Sequence, residues 1–260
     1  MSEGHIIIKT DAQVSLMREA GRLTYRTLEL IRGLAKAGIT TKELDSAAFE
    51  FIKSHGAEPS FLGYSGYPAS ICASVNSQVV HGIPGAYRLK DGDILSVDVG
   101  VHLNGWHGDA ARTYCIGEVS PETKKLVEIT EKCFCEGIKF AREGYHLSDI
   151  SRAIEKCAQE AGYGIVRELV GHGIGRSMHE APEVPNFTRQ PLRLMGEREH
   201  KVRLRKGMTL AIEPMINMGG DAVVMRNDGW TVETADGMPS AHYENTIAIT
   251  DSDPIILTSA

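Results

Sequence analysis

The sequence predicts a single α+β domain made of two related halves, at about 11–117 and 118–258 of a unit spanning residues 1–260. Three observations carry that prediction. The order helix, helix, strands is given twice along the chain. A basic, glycine-containing turn that feeds an apolar strand and ends on an acid also occurs twice, as Leu89-Lys-Asp-Gly-Asp-Ile-Leu-Ser-Val-Asp98 and as Leu204-Arg-Lys-Gly-Met-Thr-Leu-Ala-Ile-Glu213. A histidine echo falls once in each half, in Val80-His81-Gly-Ile and in Gly171-His172-Gly-Ile. No linker or low-complexity stretch separates the halves.

The elements follow in order. Residues 11–34 carry apolar side chains at helical spacing, and Gly38 closes the segment. Thr40-Thr-Lys-Glu43 is a capping-box signature, so a second helix opens there and ends at His55-Gly56. A loop rich in tyrosine and glycine follows, Phe61-Leu-Gly-Tyr64-Ser-Gly-Tyr67-Pro. Strand-like runs then lie at 70–75, 94–101 and 111–116. In the second half, Ser120-Pro121-Glu122 reads as an N-cap with proline in the first turn, and that helix is expected to reach about Arg142, before Gly144. Leu147-Ser148-Asp149 opens another helix that stops at Gly162. Strands are expected near 208–212, 222–225, 229–233 and 245–249.

Composition bounds the function classes. Apolar residues make up 42% and charged residues 24% of the 260, which excludes a disordered chain. A net charge of −6 argues against a nucleic-acid binder over the whole surface. The five cysteines (72, 115, 133, 135 and 157) are odd in number, and Cys133-Phe-Cys135 has the wrong spacing for a zinc knuckle or a redox pair. Reduced, mostly buried thiols in the cytoplasm are the expectation, with no signal peptide and no membrane partner. One stretch departs from the average: 188–206 holds seven Lys or Arg against Glu197 and Glu199. It reads either as a solvated loop or as a contact for an acidic partner such as RNA.

A carboxylate at the end of an apolar strand costs several kcal/mol, roughly, unless it is paired or bound to a metal. Asp98 and Glu213 are matched in this way. Asp109, at the start of a strand in Gly105-Trp-His-Gly-Asp-Ala-Ala-Arg, and Glu244, in His242-Tyr-Glu-Asn-Thr-Ile, sit in similar places, and His172 lies between glycines. Taken singly, each acid reads as a surface or salt-bridged residue and His172 as a hydrogen-bonded core or turn histidine. Gly171–Gly175 lacks the Lys-Ser/Thr of a phosphate-binding loop. Taken together, four converging carboxylates repel one another unless a counter-charge is present, and two divalent cations supply it. Oxygen-rich ligation with one imidazole and no thiolate favours manganese, iron(II) or cobalt over a structural zinc. His107 and His242 each stand two residues from an acid, which predicts a shared strand face and a role as competing ligands or as donors behind the ligands.

Five motifs, Ser-Val-Asp98-Val-Gly, Gly-Trp-His-Gly-Asp109-Ala-Ala-Arg, Gly-His172-Gly-Ile-Gly-Arg, Ile-Glu213-Pro-Met and Tyr-Glu244-Asn-Thr-Ile, resemble the five-ligand signature of type I methionine aminopeptidases. The resemblance runs from the first helix to the last strand. It implies the pseudo-two-fold pita-bread fold, with a curved antiparallel sheet covered by helices. It also implies a dinuclear centre of cobalt, manganese or iron(II), with zinc and nickel as further options. Asp98 would chelate one metal, Asp109 and Glu244 would bridge, and His172 and Glu213 would complete the other. Glu213 would also take a proton from the attacking hydroxide's parent water. His81, in Val-Val-His-Gly-Ile-Pro, matches the family histidine at the scissile amide, and His179, in Ser-Met-His-Glu, the one that stabilises the oxyanion. Tyr64, Tyr67, Cys72 and Trp230 match the methionine pocket, whose soft, apolar walls suit a thioether.

The chain departs from the family twice. Met178 stands where phenylalanine usually precedes the second catalytic histidine, and the basic stretch at 188–206 is longer than in compact members. The implied activity is removal of the initiator methionine from nascent polypeptide N-termini when the next residue is small, by a cytoplasmic monomer, with the ribosome as a candidate partner of 188–206. Xaa-Pro aminopeptidases and prolidases share the five ligands but usually carry an extra N-terminal domain. Non-catalytic relatives of the same fold typically lose ligands.

Overall fold

In the computed structural model, residues 5–188 and 202–260 are described. Among the described residues, four α-helices form where the caps place them. α1 (Asp11–Leu34) opens on a reciprocal cap in which the Thr10 hydroxyl accepts from the Gln13 N–H at 3.3 Å and the Gln13 side chain accepts from the Thr10 N–H at 2.9 Å. α2 (Thr41–Ser54) opens on the expected Thr40/Glu43 box. α3 (Pro121–Ile138) follows the Ser120 cap, and α4 (Leu147–Ala161) ends at Gly162 in the left-handed conformation, φ 81°. α3 stops short of the expected Arg142. After Ile138 the chain tightens into turns, with the N–H groups of Phe140 and Ala141 donating to the carbonyls of Gly137 and Ile138.

The strands are β1 (Glu58–Pro59), β2 (Cys72–Val75), β3 (Gln78–Val80), β4 (Ile94–Leu103), β5 (Trp106–Cys115), β6 (Gly164–Ile165), β7 (Gly171–Gly173), β8 (Glu180–Val184), β9 (Thr209–Ile212), β10 (Met215–Asn217), β11 (Val223–Met225), β12 (Val232–Thr234), β13 (Ser240–His242), β14 (Asn245–Ala248) and β15 (Ile255–Ile256). Every strand pair is antiparallel. In the first half β4 is flanked by β2 and β5, with β1 pairing at its far end. In the second half β9 is flanked by β7 and β14, with β8 and β15 outside them. The two sheets meet edge to edge where Ala111 of β5 and Glu244 exchange backbone bonds of 3.3 and 3.0 Å. Short strands β1, β3, β6, β7, β8, β10, β13 and β15 lie where no strand was expected.

Two smaller sheets, β13-β10-β6 and β11-β12-β3, complete the strands, and each of the two larger sheets is covered by its own helix pair. Leu95, Val97, Val99 and Val101 of β4 pack with Leu23, Leu28 and Ile31 of α1 and Leu44, Ala48 and Ile52 of α2. Phe134, Cys133 and Leu126 of α3 and Ile150, Ile154 and Ala158 of α4 cover Leu210, Ile212 and Ile247. Burying an Ile or Leu fully is worth about 1.5–3 kcal/mol relative to exposure. α1 lies close on β5, because a Cβ added at Gly108 would stand 2.7 Å from the Gly21 backbone nitrogen. The strand period of two then sends the alternate residues of β4 and β5, Ser96, Asp98, Asp109 and Thr113, away from that helix layer. That face carries the site.

Candidate metal centre

Asp98 lies on β4 directly opposite Cys72 of β2 and Ala111 of β5. Asp109 lies inside the ten-residue strand β5, opposite Gly100, rather than at a strand's start as its local sequence suggests. The side chain of Thr246 fixes it: the hydroxyl accepts from the Asp109 N–H at 3.0 Å and donates to its carbonyl at 2.9 Å. Glu244 occupies the two-residue link between β13 and β14, so the seam between the halves sets its backbone. Arg112 secures that link by donating to the Glu244 carbonyl at 2.6 Å and to Asn245 Oδ1 at 2.8 Å. Glu213 follows the last residue of β9, and His172 is central in β7, paired with Ala211.

These elements converge. One ligand atom each from Asp109, His172 and Glu244 lies within 4.8 Å of the others, and all three residues are buried. His172 Nε2 stands 3.7 Å from Asp109 Oδ2 and 3.8 Å from Glu213 Oε1. Asp98 and Asp109 lie close enough to act on one another electrostatically, and Glu213 acts on both. All five predicted ligands therefore occupy one cluster.

Its electrostatics are those of crowded acids in a dry place. Burial, foremost, pushes Asp98 up to about 7 and Glu213 up to about 8. Asp109 and Glu244 are pushed well above the carboxylate range, first by burial and then by the neighbouring acids. Burial holds His172 down at about 3, so its ring is neutral. A carbonyl can only accept, so the 2.8 Å contact from His172 Nδ1 to the Gly173 oxygen puts the proton on Nδ1 and leaves the Nε2 lone pair facing the acids. Asp98 Oδ1, Asp109 Oδ1 and Glu244 Oε1 are buried with no hydrogen-bond partner. Neutral imidazole, a full set of carboxylates and orphaned oxygens match what divalent cations need.

The other predicted residues surround this cluster. The exposed His179 ring packs on the His172 ring at 4.1 Å between centroids, and its Nδ1 lies 2.8 Å from the Tyr64 hydroxyl. His81 follows β3 with φ 59°, a left-handed backbone unusual for a residue other than glycine. Burial, then His242 and His179, hold its pKa down at about 4. Its ring meets the Trp230 edge at 6.4 Å. Tyr67 and Cys72 form a small apolar cluster with Ala69, against which Trp230, Phe61 and Ile83 pack. The Tyr67 hydroxyl donates to the carbonyls of Ile71 at 3.1 Å and Gly82 at 3.0 Å, tying that cluster to the residue after His81. Met178 is buried, at 3% exposure, beside His179.

Some residues were not legible in sequence. Phe61 and Ile83 join the apolar cluster, and Thr246 and Arg112 hold ligand backbones, with no local signal for any of these roles. His242 reaches the cluster, its Nε2 3.7 Å from Glu213 Oε2, but not as predicted. It ends β13, whereas Glu244 belongs to the link, so they share no strand face. His107, on β5 two residues before Asp109, hydrogen-bonds the Ser60 hydroxyl at 2.8 Å and stacks on His102 at 4.5 Å. Of the basic stretch at 188–206, residues 189–201 lie outside the described residues.

Comparison with known proteins places this geometry. The model of metallopeptidase family M24 matches residues 15–251. The methionine aminopeptidase of Clostridium perfringens is 53% identical over 253 residues, covering 97% of this chain and 98% of that protein. The crystal structure of methionine aminopeptidase from Rickettsia prowazekii superposes with a TM-score of 0.92 at 40% identity, covering 98% of this chain and 100% of the other. The Xaa-Pro dipeptidase from Bacillus anthracis shares the fold at 22% identity and a TM-score of 0.76, but this chain spans only 62% of its length.

Proposed function

The chain belongs to metallopeptidase family M24 and, within it, to the methionine aminopeptidases of the pita-bread fold, and from that membership we propose that it removes the N-terminal methionine of proteins and peptides whose next residue is small. The observation that carries the reading is the buried meeting of Asp109, His172 and Glu244 within 4.8 Å, with orphaned carboxylate oxygens around them. Asp98, Asp109, His172, Glu213 and Glu244 would hold two divalent cations. Cobalt, manganese and iron(II) suit the donor set best, ahead of zinc and nickel. Bound there, such cations offset the carboxylate charge and supply the Lewis acidity that activates water and the scissile carbonyl.

The remaining chemistry belongs to side chains. Glu213 keeps 14% of its side chain exposed, so it can both meet the cations and take a proton from the attacking water. His179, at the exposed edge of the cluster, donates to the carbonyl oxygen as it gains negative charge. His81 is neutral at physiological pH, with its pKa held near 4, and assists departure of the shortened chain by hydrogen bonding at the amide nitrogen. Tyr67, Cys72 and Trp230, with the exposed Tyr64 at the rim and the buried Met178 beside His179, receive the methionine side chain. Burial raises the Cys72 thiol well above its usual pKa, so it serves as a neutral, polarizable wall. Met178 in place of an aromatic ring softens one side of that pocket.

Nascent polypeptide N-termini are the expected partners, and a cytoplasmic monomer the expected form. The basic stretch 188–206 is proposed as a contact for ribosomal RNA. Charge reversal there should weaken ribosome co-sedimentation and flatten its salt dependence; unchanged sedimentation overturns that contact. The activity itself is tested by offering Met-Gly and Xaa-Pro peptides to metal-stripped protein restored with one cation at a time. Release of methionine only after restoration supports the reading, and a preference for Xaa-Pro substrates overturns it.

A further inference from the structure

We infer that the two packed histidines of the site are held in opposite tautomers, and that the Tyr64 hydroxyl is the group that sets the tautomer of His179. This deepens the proposed reading of His179 and rests on it. His172 is fixed from behind by the Gly173 carbonyl, so Nδ1 carries its proton and Nε2 presents a lone pair. His179 packs against that ring at 4.1 Å, yet its Nδ1 meets a hydroxyl at 2.8 Å instead of a carbonyl. A phenol hydroxyl is a good donor, and a neutral imidazole nitrogen is a better acceptor than a phenol oxygen. The bond therefore runs from Tyr64 O–H to His179 Nδ1, which leaves the proton on Nε2. In that tautomer Nε2 can donate to a substrate carbonyl oxygen; in the other tautomer Nε2 can only accept.

The loop that aims Tyr64 is built for the task. Gly63, Ser65 and Gly66 all have positive φ, at 80°, 48° and 90°, and a serine there accepts backbone strain that is usually left to glycine. Four backbone bonds close the turn: Gly63 N–H to Tyr67, Tyr64 to Phe61, Gly66 to Gly63 and Tyr67 to Tyr64. Tyr67 is buried and doubly hydrogen-bonded, so the turn is anchored at its base, while Tyr64 projects from it with 42% exposure. An exposed aromatic ring held this firmly, with its one polar atom on a histidine 115 residues away, is a positioning residue and more than a wall.

The test uses nitrogen-15 NMR of the histidine rings in the wild-type protein and in Tyr64→Phe, which keeps the ring and removes the hydroxyl. In the wild type, His179 should show a pyrrole-type Nε2 and a pyridine-type Nδ1, with His172 in the reverse pattern. In Tyr64→Phe the His179 signals should move toward an average of the two tautomers while those of His172 stay. With Met-Ala-type peptides, kcat should fall about fivefold, the worth of one net hydrogen bond, with KM within about twofold because the ring remains. A wild-type His179 protonated on Nδ1 overturns the proposal, and so do a variant with unchanged His179 signals or an unchanged kcat. Failure of the wild type to cleave any Met peptide would overturn the aminopeptidase reading instead, and the spectra would still decide the tautomer.

Discussion

Replacing Lys9 by methionine should cost far more than a surface charge. Lys9 Nζ lies 2.5 Å from Glu180 Oε2, and the two side chains are only 2% and 6% exposed. Lys9 also donates to the Ile7 carbonyl at 3.2 Å, and its own N–H donates to Gly207. Glu180 begins β8 and directly follows His179, so the pair ties the segment before α1 to the arm that carries that histidine. Without Lys9, a buried carboxylate retains, among the described residues, only the Ser177 N–H at 3.3 Å. Breaking a buried pair from one side costs about 3–5 kcal/mol, a large fraction of a typical 5–15 kcal/mol stability. For a domain of this size that is a drop in Tm of roughly 6–20 °C. Urea denaturation of Lys9→Met, Glu180→Gln and the double variant forms a closed cycle. The double variant should be more stable than the sum of the single losses predicts by about 2–3 kcal/mol, because it leaves no bare charge behind. Losses under about 1 kcal/mol for Lys9→Met, the worth of a solvated pair, would refute the argument.

Three further outcomes follow from the same geometry. Asp98 and Glu213 are raised to about 7 and about 8 by burial, so the folded metal-free protein binds more protons than the unfolded chain above pH 6.5, and its stability should fall as pH rises from 6.5 to 8. His81, His172 and His242 are depressed to about 4, 3 and 4 and act oppositely, removing stability as pH falls below about 6.5, so the upper window isolates the acids. Thermal melts of chelated protein read this directly, and a flat or rising midpoint from 6.5 to 8 contradicts it. Gly108→Ala would drive a methyl group to 2.7 Å from the Gly21 backbone and should cost about 1–3 kcal/mol by forcing α1 off β5; a change within 0.5 kcal/mol, about the noise for surface sites, shows that the helix yields easily. Trp230→Ala opens the wall against Tyr67 and His81, and KM for Met peptides should rise about tenfold with a smaller change in kcat; an unaffected KM removes Trp230 from the pocket.

The parts of this molecule written in short stretches of chain were legible before the structure. The Thr40/Glu43 box, the Ser120-Pro121 cap and the Gly162 stop are local chemistry, and the helices begin or end on them. The matched turns and strands before the two acids are equally local, although only β9 ends at its acid, Glu213, whereas β4 runs on through Asp98 to Leu103. What escaped is decided by partners remote in sequence. β7, β10 and β13 have three residues each, too few for an alternating pattern, and exist because strands remote in sequence pair with them: β8 and β9 with β7, β6 and β13 with β10, and β10 with β13. Asp109 looked like a strand start because His107 and Gly108 interrupt the apolar run, yet the strand continues back through them, with Trp106 and Gly108 facing α1, where a flat indole and a bare backbone fit. The Tyr64–His179 and Lys9–Glu180 contacts join residues 115 and 171 apart, and nothing near either partner announces them.

The claim on which the account turns is that this acidic cluster exists to hold divalent cations. Calorimetric titration of manganese into metal-stripped protein, beside the variant Asp109→Asn, tests it most directly. The account predicts saturable binding that releases protons near pH 7, tightens as pH rises toward 8, and is lost or greatly weakened in Asp109→Asn. Manganese heats no larger than dilution in the wild type, or binding indifferent to Asp109→Asn, would contradict it.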